Sequence, residues 1–240
     1  MENIYSRELT ILPSMADSSA RLGVTETFAL FMDIASEHAE TLGSGLAAMN
    51  RRGLFWLTVK TRIRFYRRPG LMEKVTVSTW PETPSGFRCN RDYTLRKGEE
   101  LLAAGKTEWA ILEVKTGKMF SPAEIYPPEL LLLEPPVWED RFTRMDLDFT
   151  GAEELGRYTV ASADIDLGGH MNNAAYVGML ERLYSTKDWN ALPMRELEVI
   201  FRSSCYEGEN LTVLRREAGE AAEYCALKED GKPALLARML

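Results

Sequence analysis

Five of the chain's 11 prolines, Pro122, Pro127, Pro128, Pro135 and Pro136, fall in one short stretch. Proline has no N–H and a fixed φ, so neither a long helix nor a central strand can run through such a segment. The stretch also carries Leu130 to Leu133 and Trp138. A free tether would be more polar, so it reads as a connector packed across a surface. The chain of 240 residues thereby divides into an N-terminal half (1–122), a connector (123–152) and a C-terminal half (153–240).

Both halves read alike. In the first, Phe28, Phe31, Met32, Ala35, Ala39 and Leu42 recur at helical spacing, and Gly43 follows as a stop. Strand-like runs come next at 55–65, 75–80, 88–96 and 101–114, with Gly98 and Gly117 as turns. The first of these places Leu57, Val59, Thr61, Ile63 and Phe65 on one face. In the second half Asn173 can cap a helix carrying Tyr176, Val177, Leu180, Leu183 and Tyr184. Strand-like runs follow at 197–201, 211–215, 224–228 and from 234 to the C-terminus. One helix followed by several antiparallel strands, twice, is an α+β pattern. It repeats in architecture rather than in obvious sequence, and periodicity leaves several α+β folds open.

Composition removes several classes of function. No apolar run approaches the roughly 20 residues of a membrane-spanning helix. The start, from Met1 to Glu8, has acids and no apolar core of a secretory signal. Cys89, Cys205 and Cys225 are odd in number and lack metal-ligand spacing, which suits a reducing cytoplasm. A net charge of -7 argues against nucleic-acid binding.

Only two histidines exist. His38, beside the apolar stripe of the first helix, reads as a helix histidine. His170 stands after an expected strand and before an expected helix, within a few residues of Asp164, Asp166, Asn172 and Asn173. Gly168 and Gly169 allow a tight turn there. An imidazole, a carboxylate and a helix N-terminus so gathered can serve hydrolysis through an oxyanion. They can equally be a turn in which Asp and Asn only cap and bend the chain.

The run from Asp166 to Tyr176, Asp-Leu-Gly-Gly-His-Met-Asn-Asn-Ala-Ala-Tyr, resembles the D-x-N-x-H-x-N-N-x-x-Y signature of fatty acyl-acyl-carrier-protein thioesterases. Residues 54–59, 64–69, 75–80 and 88–93 resemble the family's first half in order and spacing, and 197–205 its second. The resemblance implies two tandem hotdog folds, each a long helix wrapped by a curled antiparallel sheet. It implies hydrolysis of an acyl-carrier-protein thioester to a free fatty acid, with no metal or organic cofactor. Asp166 and His170 match the family's catalytic aspartate and histidine, and Cys205 its cysteine. Two positions depart: Gly168 stands where the family has a catalytic asparagine, and Ser204 where it often has glutamate.

On this reading Asp166, alone or with His170, deprotonates water. Amides around Gly168, Gly169 and the helix start, with the Asn172 side chain, hold the oxyanion. The competing scheme makes Cys205 a nucleophile paired with His170. Phe31, Met32 and Ala35 are expected to line the acyl tunnel. Seven basic residues and no acid lie between 51 and 68, among them Lys60, Arg62 and Arg64 on the face opposite the core. They serve either pairing with acids of neighbouring strands or docking of an acidic carrier protein. The rival functions are an acyl-CoA thioesterase, a hotdog dehydratase and a non-catalytic acyl-binding module. Tandem halves permit a monomer, and a homodimer is equally open.

Overall fold

The first helical stripe folds as the spacing requires. In the computed structural model, which describes residues 3–127, 130, 132 and 134–240, helix α1 spans Val24–Thr41. Phe28, Phe31, Ile34, Ala35 and His38 form its buried face, at intervals of three and four. Gly43 ends it at φ +68°, a backbone conformation that L side chains rarely adopt. A short helix α2, Leu46–Arg51, follows. Of the residues that bear on the expected start and connector, Met1, Glu2, Pro128, Leu131 and Leu133 lie outside the described residues.

The strands of the first half are β1 (Tyr5–Thr10), β2 (Leu54–Phe65), β3 (Lys74–Pro81), β4 (Arg88–Lys97) and β5 (Glu100–Glu113), with a two-residue β6 (Met119–Phe120) on β5. The second half has β7 (Glu153–Thr159), helices α3 (Asn173–Arg182) and α4 (Thr186–Ala191), then β8 (Glu196–Phe201), β9 (Asn210–Ala218), β10 (Ala221–Lys228) and β11 (Pro233–Met239). The sheet order is β1-β3-β4-β5-β2-β8-β11-β10-β9-β7. Each half therefore has the same connectivity, and β2 pairs antiparallel with β8 through Arg62↔Glu198 at the centre. The chain folds as two tandem hotdogs whose sheets are continuous. Phe201 of β8 meets Phe28 of α1 and Tyr176 of α3 edge-on, so a single core joins the halves.

One expectation about β2 fails. The register against β5 shifts between Thr58 and Lys60, leaving Val59 without a partner. This β-bulge reverses the alternation. Thr61 and Ile63 point into the core, but so does Thr58, and Leu57 and Val59 do not share their face.

The connector does lie across a surface. Trp80 Nε1 donates to the Pro135 carbonyl (3.2 Å) and Lys106 Nζ to that of Trp138 (2.9 Å). Arg62 Nη2 donates to the Arg141 carbonyl (2.8 Å), and the Thr143 amide to Glu198 Oε1 (2.7 Å). Further on, Met145 and Phe149 pack on Ile200, Cys225 and Leu236 of the outer sheet face. Among the described residues no helix is long and apolar enough to cross a membrane.

Candidate active site

The residues before α3 form a closed turn. Ile165 bridges Met171, the Asp166 amide donates to the His170 carbonyl (3.0 Å), and the Gly169 amide to that of Asp166 (3.0 Å). Gly169 takes φ +77°, a second position where glycine relieves strain. The Gly168 amide donates to Asp166 Oδ1 (2.7 Å), and His170 Nδ1 stands 3.5 Å from that oxygen. Both side chains are about one quarter exposed, at 29% for Asp166 and 26% for His170. The imidazole also meets the Phe55 ring edge-on at 6.0 Å. Asp164 acts on the turn itself. Buried, it accepts from the Ala161 amide (2.8 Å) and the Tyr158 hydroxyl (2.7 Å) and so fixes the backbone there.

Position 168 is where an added side chain would enter this pair. A Cβ there would come within 2.9 Å of His170 Nε2 and 3.0 Å of Asp166 Oδ1. The glycine leaves that space to the imidazole.

The helix cap sits one residue earlier than the sequence suggests. Asn172 is the N-cap, its Oδ1 accepting from the Ala174 amide (2.8 Å), while Asn173 is the first helical residue. Asn173 Nδ2 donates to Thr58 Oγ1 (2.9 Å), which ties the second half's helix start to the first half's β2. The Asn173 amide and the Asn172 side-chain amino group have no acceptor among the described residues. The amides of Gly168 and Gly169, expected to face an oxyanion, are instead bonded within the turn. The donors left without an acceptor, among the described residues, are those at the helix start.

A cavity of about 280 Å³ opens beside this turn. Asp166, Asn172 and Asn173 line it together with Met32, Ala35 and Ala39 of α1, Leu46 and Met49 of α2, and Leu54, Trp56 and Thr58 of β2. A mostly apolar space thus reaches the carboxylate. Met32 is on its wall. Phe31 is not: fully buried, it stacks on Tyr93 at 4.9 Å and lies against Gly105, where a Cβ would come within 2.6 Å of its ring.

Cys205 lies outside the cavity wall and is fully buried. Burial pushes its thiol above the ordinary range, although the Tyr176 hydroxyl works against the shift. Its backbone is what braces the turn: the carbonyl accepts from the Met171 amide (2.8 Å) and the amide donates to Tyr176 Oη (3.1 Å).

Arg62 has no face left for a partner protein. Its guanidinium, 5% exposed, contacts Glu198 at 2.5 Å as well as the Arg141 carbonyl and Thr143. Arg64 pairs with Glu196 (2.7 Å) and Asp140 (2.7 Å) and stacks over Trp138. Neighbouring-strand acids and the connector account for both.

Thr58, Phe55 and Arg91 join the site without a motif to announce them. Arg91 carries a signal nonetheless, because it alternates with Cys89 and Tyr93 on a strand's inner face, where a cation is out of place. Among the described residues there is no cluster of three or more His, Cys, Asp or Glu that could hold a metal.

Residues 2–126 match the model of the acyl-ACP thioesterase N-terminal domain, and 148–232 that of the acyl-ACP thioesterase C-terminal domain. Oleoyl-acyl carrier protein thioesterase 1, chloroplastic, of Arabidopsis thaliana is 23% identical over 243 residues, covering 91% of this chain and 66% of its own length. The Coriandrum sativum oleoyl-acyl carrier protein thioesterase is 23% identical over 207 residues, covering 77% and 55%. The chain thus spans 66% or less of the length of these curated relatives. In fold it superposes on an acyl-ACP thioesterase from Bacteroides thetaiotaomicron with a TM-score of 0.89, at 19% identity over 99% of this chain and 97% of that one. The 12:0-ACP thioesterase from Umbellularia californica follows at 0.87, with 18% identity over 100% and 97%.

Proposed function

The chain belongs to the acyl-ACP thioesterase family, and we propose that it hydrolyses fatty acyl-acyl-carrier-protein thioesters to free fatty acid and carrier thiol. One observation carries this reading: Asp166, with His170 3.5 Å away, borders an apolar cavity that also receives the start of α3. The acyl chain lies in that cavity and the thioester carbon beside Asp166. Asp166 takes a proton from water, whose oxygen attacks the carbonyl carbon. The Asn173 amide and the Asn172 side chain donate to the resulting oxyanion, helped by the helix dipole. The intermediate then expels the thiolate, which takes up the proton that Asp166 removed from water. His170, beside the Asp166 carboxylate, holds it in position for the water.

Cys205 serves as a brace rather than a nucleophile, since an inaccessible thiol with a raised pKa is seldom thiolate. On the same reading 1–122 houses the acyl chain, 153–240 brings the catalytic turn and 123–152 straps the two. Pairing of β2 with β8 inside one chain makes a monomer sufficient. Three free cysteines accord with a reducing cytoplasm.

Thiol release from acyl-carrier-protein and acyl-CoA thioesters tests the proposal. Asp166→Ala and His170→Ala should each lose roughly 10²–10⁴-fold in kcat, while Cys205→Ala keeps most activity. Loss in Cys205→Ala with a normal Tm would favour the thiol scheme. Preference for CoA thioesters would name the other carrier, and enoyl product would mark a dehydratase.

A further inference from the structure

The bulge in β2 re-aims one side chain at the catalytic turn. Leu54, Trp56 and Thr58 alternate along the strand and line the cavity, whereas Thr61, Ile63 and Phe65 carry on the inward face beyond the bulge. Without the extra residue, the period set by Thr61 and Ile63 would turn Val59 inward and Thr58 outward. Instead a hydroxyl, on a residue 4% exposed, stands on the cavity wall with Asp166, Asn172 and Asn173. Strand β2 pairs with β8 only from Lys60 onward, so Thr58 lies just past the point where the halves stop sharing a sheet. There the start of α3 takes over the contact: Asn173 Nδ2 donates to Thr58 Oγ1 (2.9 Å) across 115 positions of chain.

Among the described residues, every other hydrogen bond of residues 161–173 stays within the second half. The Met171 amide donates to the Cys205 carbonyl (2.8 Å) and the Asn172 amide to that of Asp164 (2.7 Å). Asn172 Oδ1 caps the Ala174 amide (2.8 Å). Phe55 reaches the turn as well, ring to ring with His170 at 6.0 Å, a contact without a donor or an acceptor. Thr58 is thus the first-half group that holds the start of α3 by a directional bond.

The two halves divide the reaction between them. On the thioesterase reading the first half's cavity holds the acyl chain, while the oxyanion donors, the Asn173 amide and the Asn172 side chain, belong to the second. A donor stabilises an oxyanion only where the charge develops, and a displacement of about 1 Å costs roughly 100-fold in rate. The distance from donor to carbonyl therefore depends on what registers one half against the other at this point. We propose that Thr58 is that positioning residue: by accepting from the Asn173 side chain, it sets the same residue's backbone amide against the acyl carbonyl. This rests on the thioesterase reading and adds a first-half residue to its oxyanion site.

Thr58→Val removes the acceptor at nearly constant volume. With carrier-protein thioesters its kcat should fall roughly 10–100-fold, with KM within about 3-fold of the parent. Thr58→Ser, which keeps the hydroxyl, should recover most of kcat. Asn173→Ala breaks the same bond from the other side and keeps the backbone amide, so the two losses should not add in the double variant. Should Thr58→Val fold poorly, Asn173→Ala alone carries the same kcat and KM test. Thr61→Val is the control: it removes a buried hydroxyl of the same strand, bonded to Thr107 (3.0 Å), and should lower Tm without lowering kcat. Parental kcat in Thr58→Val, a loss that Thr58→Ser does not reverse, an equal loss in Thr61→Val, or additive losses in the double variant would each overturn the assignment and leave the thioesterase reading intact. A parent chain that cleaves no thioester would overturn that reading, and the role of Thr58 with it.

Discussion

Arg62→Met separates the two roles that a run of basic residues could have. The Arg62 and Glu198 side chains are 5% and 0% exposed, paired where β2 meets β8. Removing the cation leaves the Glu198 carboxylate buried, a group that burial already pushes above its usual range despite Arg62. Breaking such a pair costs roughly 3–5 kcal/mol. For a chain of this size each kcal/mol lowers Tm by about 2–4 °C, so the expected drop is about 6–20 °C. Loss of the Arg141 bond should also loosen the connector. Adding Glu198→Gln removes the stranded charge, keeps an acceptor for Thr143, and should recover a good part of the loss. Thermal unfolding by circular dichroism reads both effects. KM for carrier-protein and CoA thioesters, measured well below Tm, should move together or not at all. An unchanged Tm with a KM raised only for the carrier-protein substrate would refute the argument and restore Arg62 to a docking surface.

Two further perturbations probe the site and the strap. Gly168→Ala places a methyl 2.9 Å from His170 Nε2, so the imidazole must shift; kcat should fall roughly 10–100-fold with little change in Tm, the turn being exposed. Unchanged kcat would mean that the His170 ring position does not matter. Under the connector, burial pushes the Asp92 carboxyl up to about 8, with Lys106 3.7 Å away opposing the shift. Its folded pKa is above the ordinary value of 3.8, so the unfolded chain gives up this proton first and stability falls as pH rises from about 4 to about 8. Burial also acts to raise Glu82, but Lys106 and Asn90 outweigh it and hold it low, so it titrates outside that window. Asp92→Asn should therefore gain Tm relative to the parent between about pH 5 and pH 9; parallel Tm curves would show that Asp92 titrates normally.

The architecture was legible because its signals are local. The stripe from Phe28 to Leu42 gave α1, and every strand-like run that alternates or is bounded by a glycine turn became a strand within a residue or a few. The first strand of each half, β1 and β7, was not delineated, because edge strands such as Glu153–Thr159 are half-exposed and mix charge with glycine. The bulge at Val59 was hidden for another reason. Leu57, Val59 and Thr61 alternate perfectly in sequence, and only the register against β5 breaks the period. At the site, Asp166 and His170 are four residues apart, so a turn brings them together on its own. The cavity that Asp166 borders is built largely by α1, α2 and β2, more than 100 residues earlier in the chain, with Arg91, Trp109 and Tyr126 also on its wall, and no spacing within the motif reports on it.

Why the candidate site forms in one half only is visible in the other half's matching turn. Before α1, the Asp17 amide donates to the Arg21 carbonyl (2.8 Å), the Ala20 amide to that of Asp17 (3.0 Å), and Ala16 bridges Leu22. Ala20 adopts φ +55°, where Gly169 has +77°. The Ser19 amide donates to Asp17 Oδ1 (2.8 Å), as that of Gly168 does to Asp166. The backbone is the same, with Asp17 for Asp166 and Arg21 for His170. What differs is what the turn faces. Asp17 is ion-paired to Arg68, and its neighbour Ser18 is bonded to Asn190 of α4. Helix α3 has 10 residues against the 18 of α1, and Tyr184, Trp189 and Tyr224 fill the core around its end, the two tyrosines joined by a 2.7 Å hydrogen bond. A carboxylate on a tight turn is therefore available twice in this fold. It becomes a candidate base only where the opposite half leaves an open apolar space beside it and a second titratable group, His170, stands within reach.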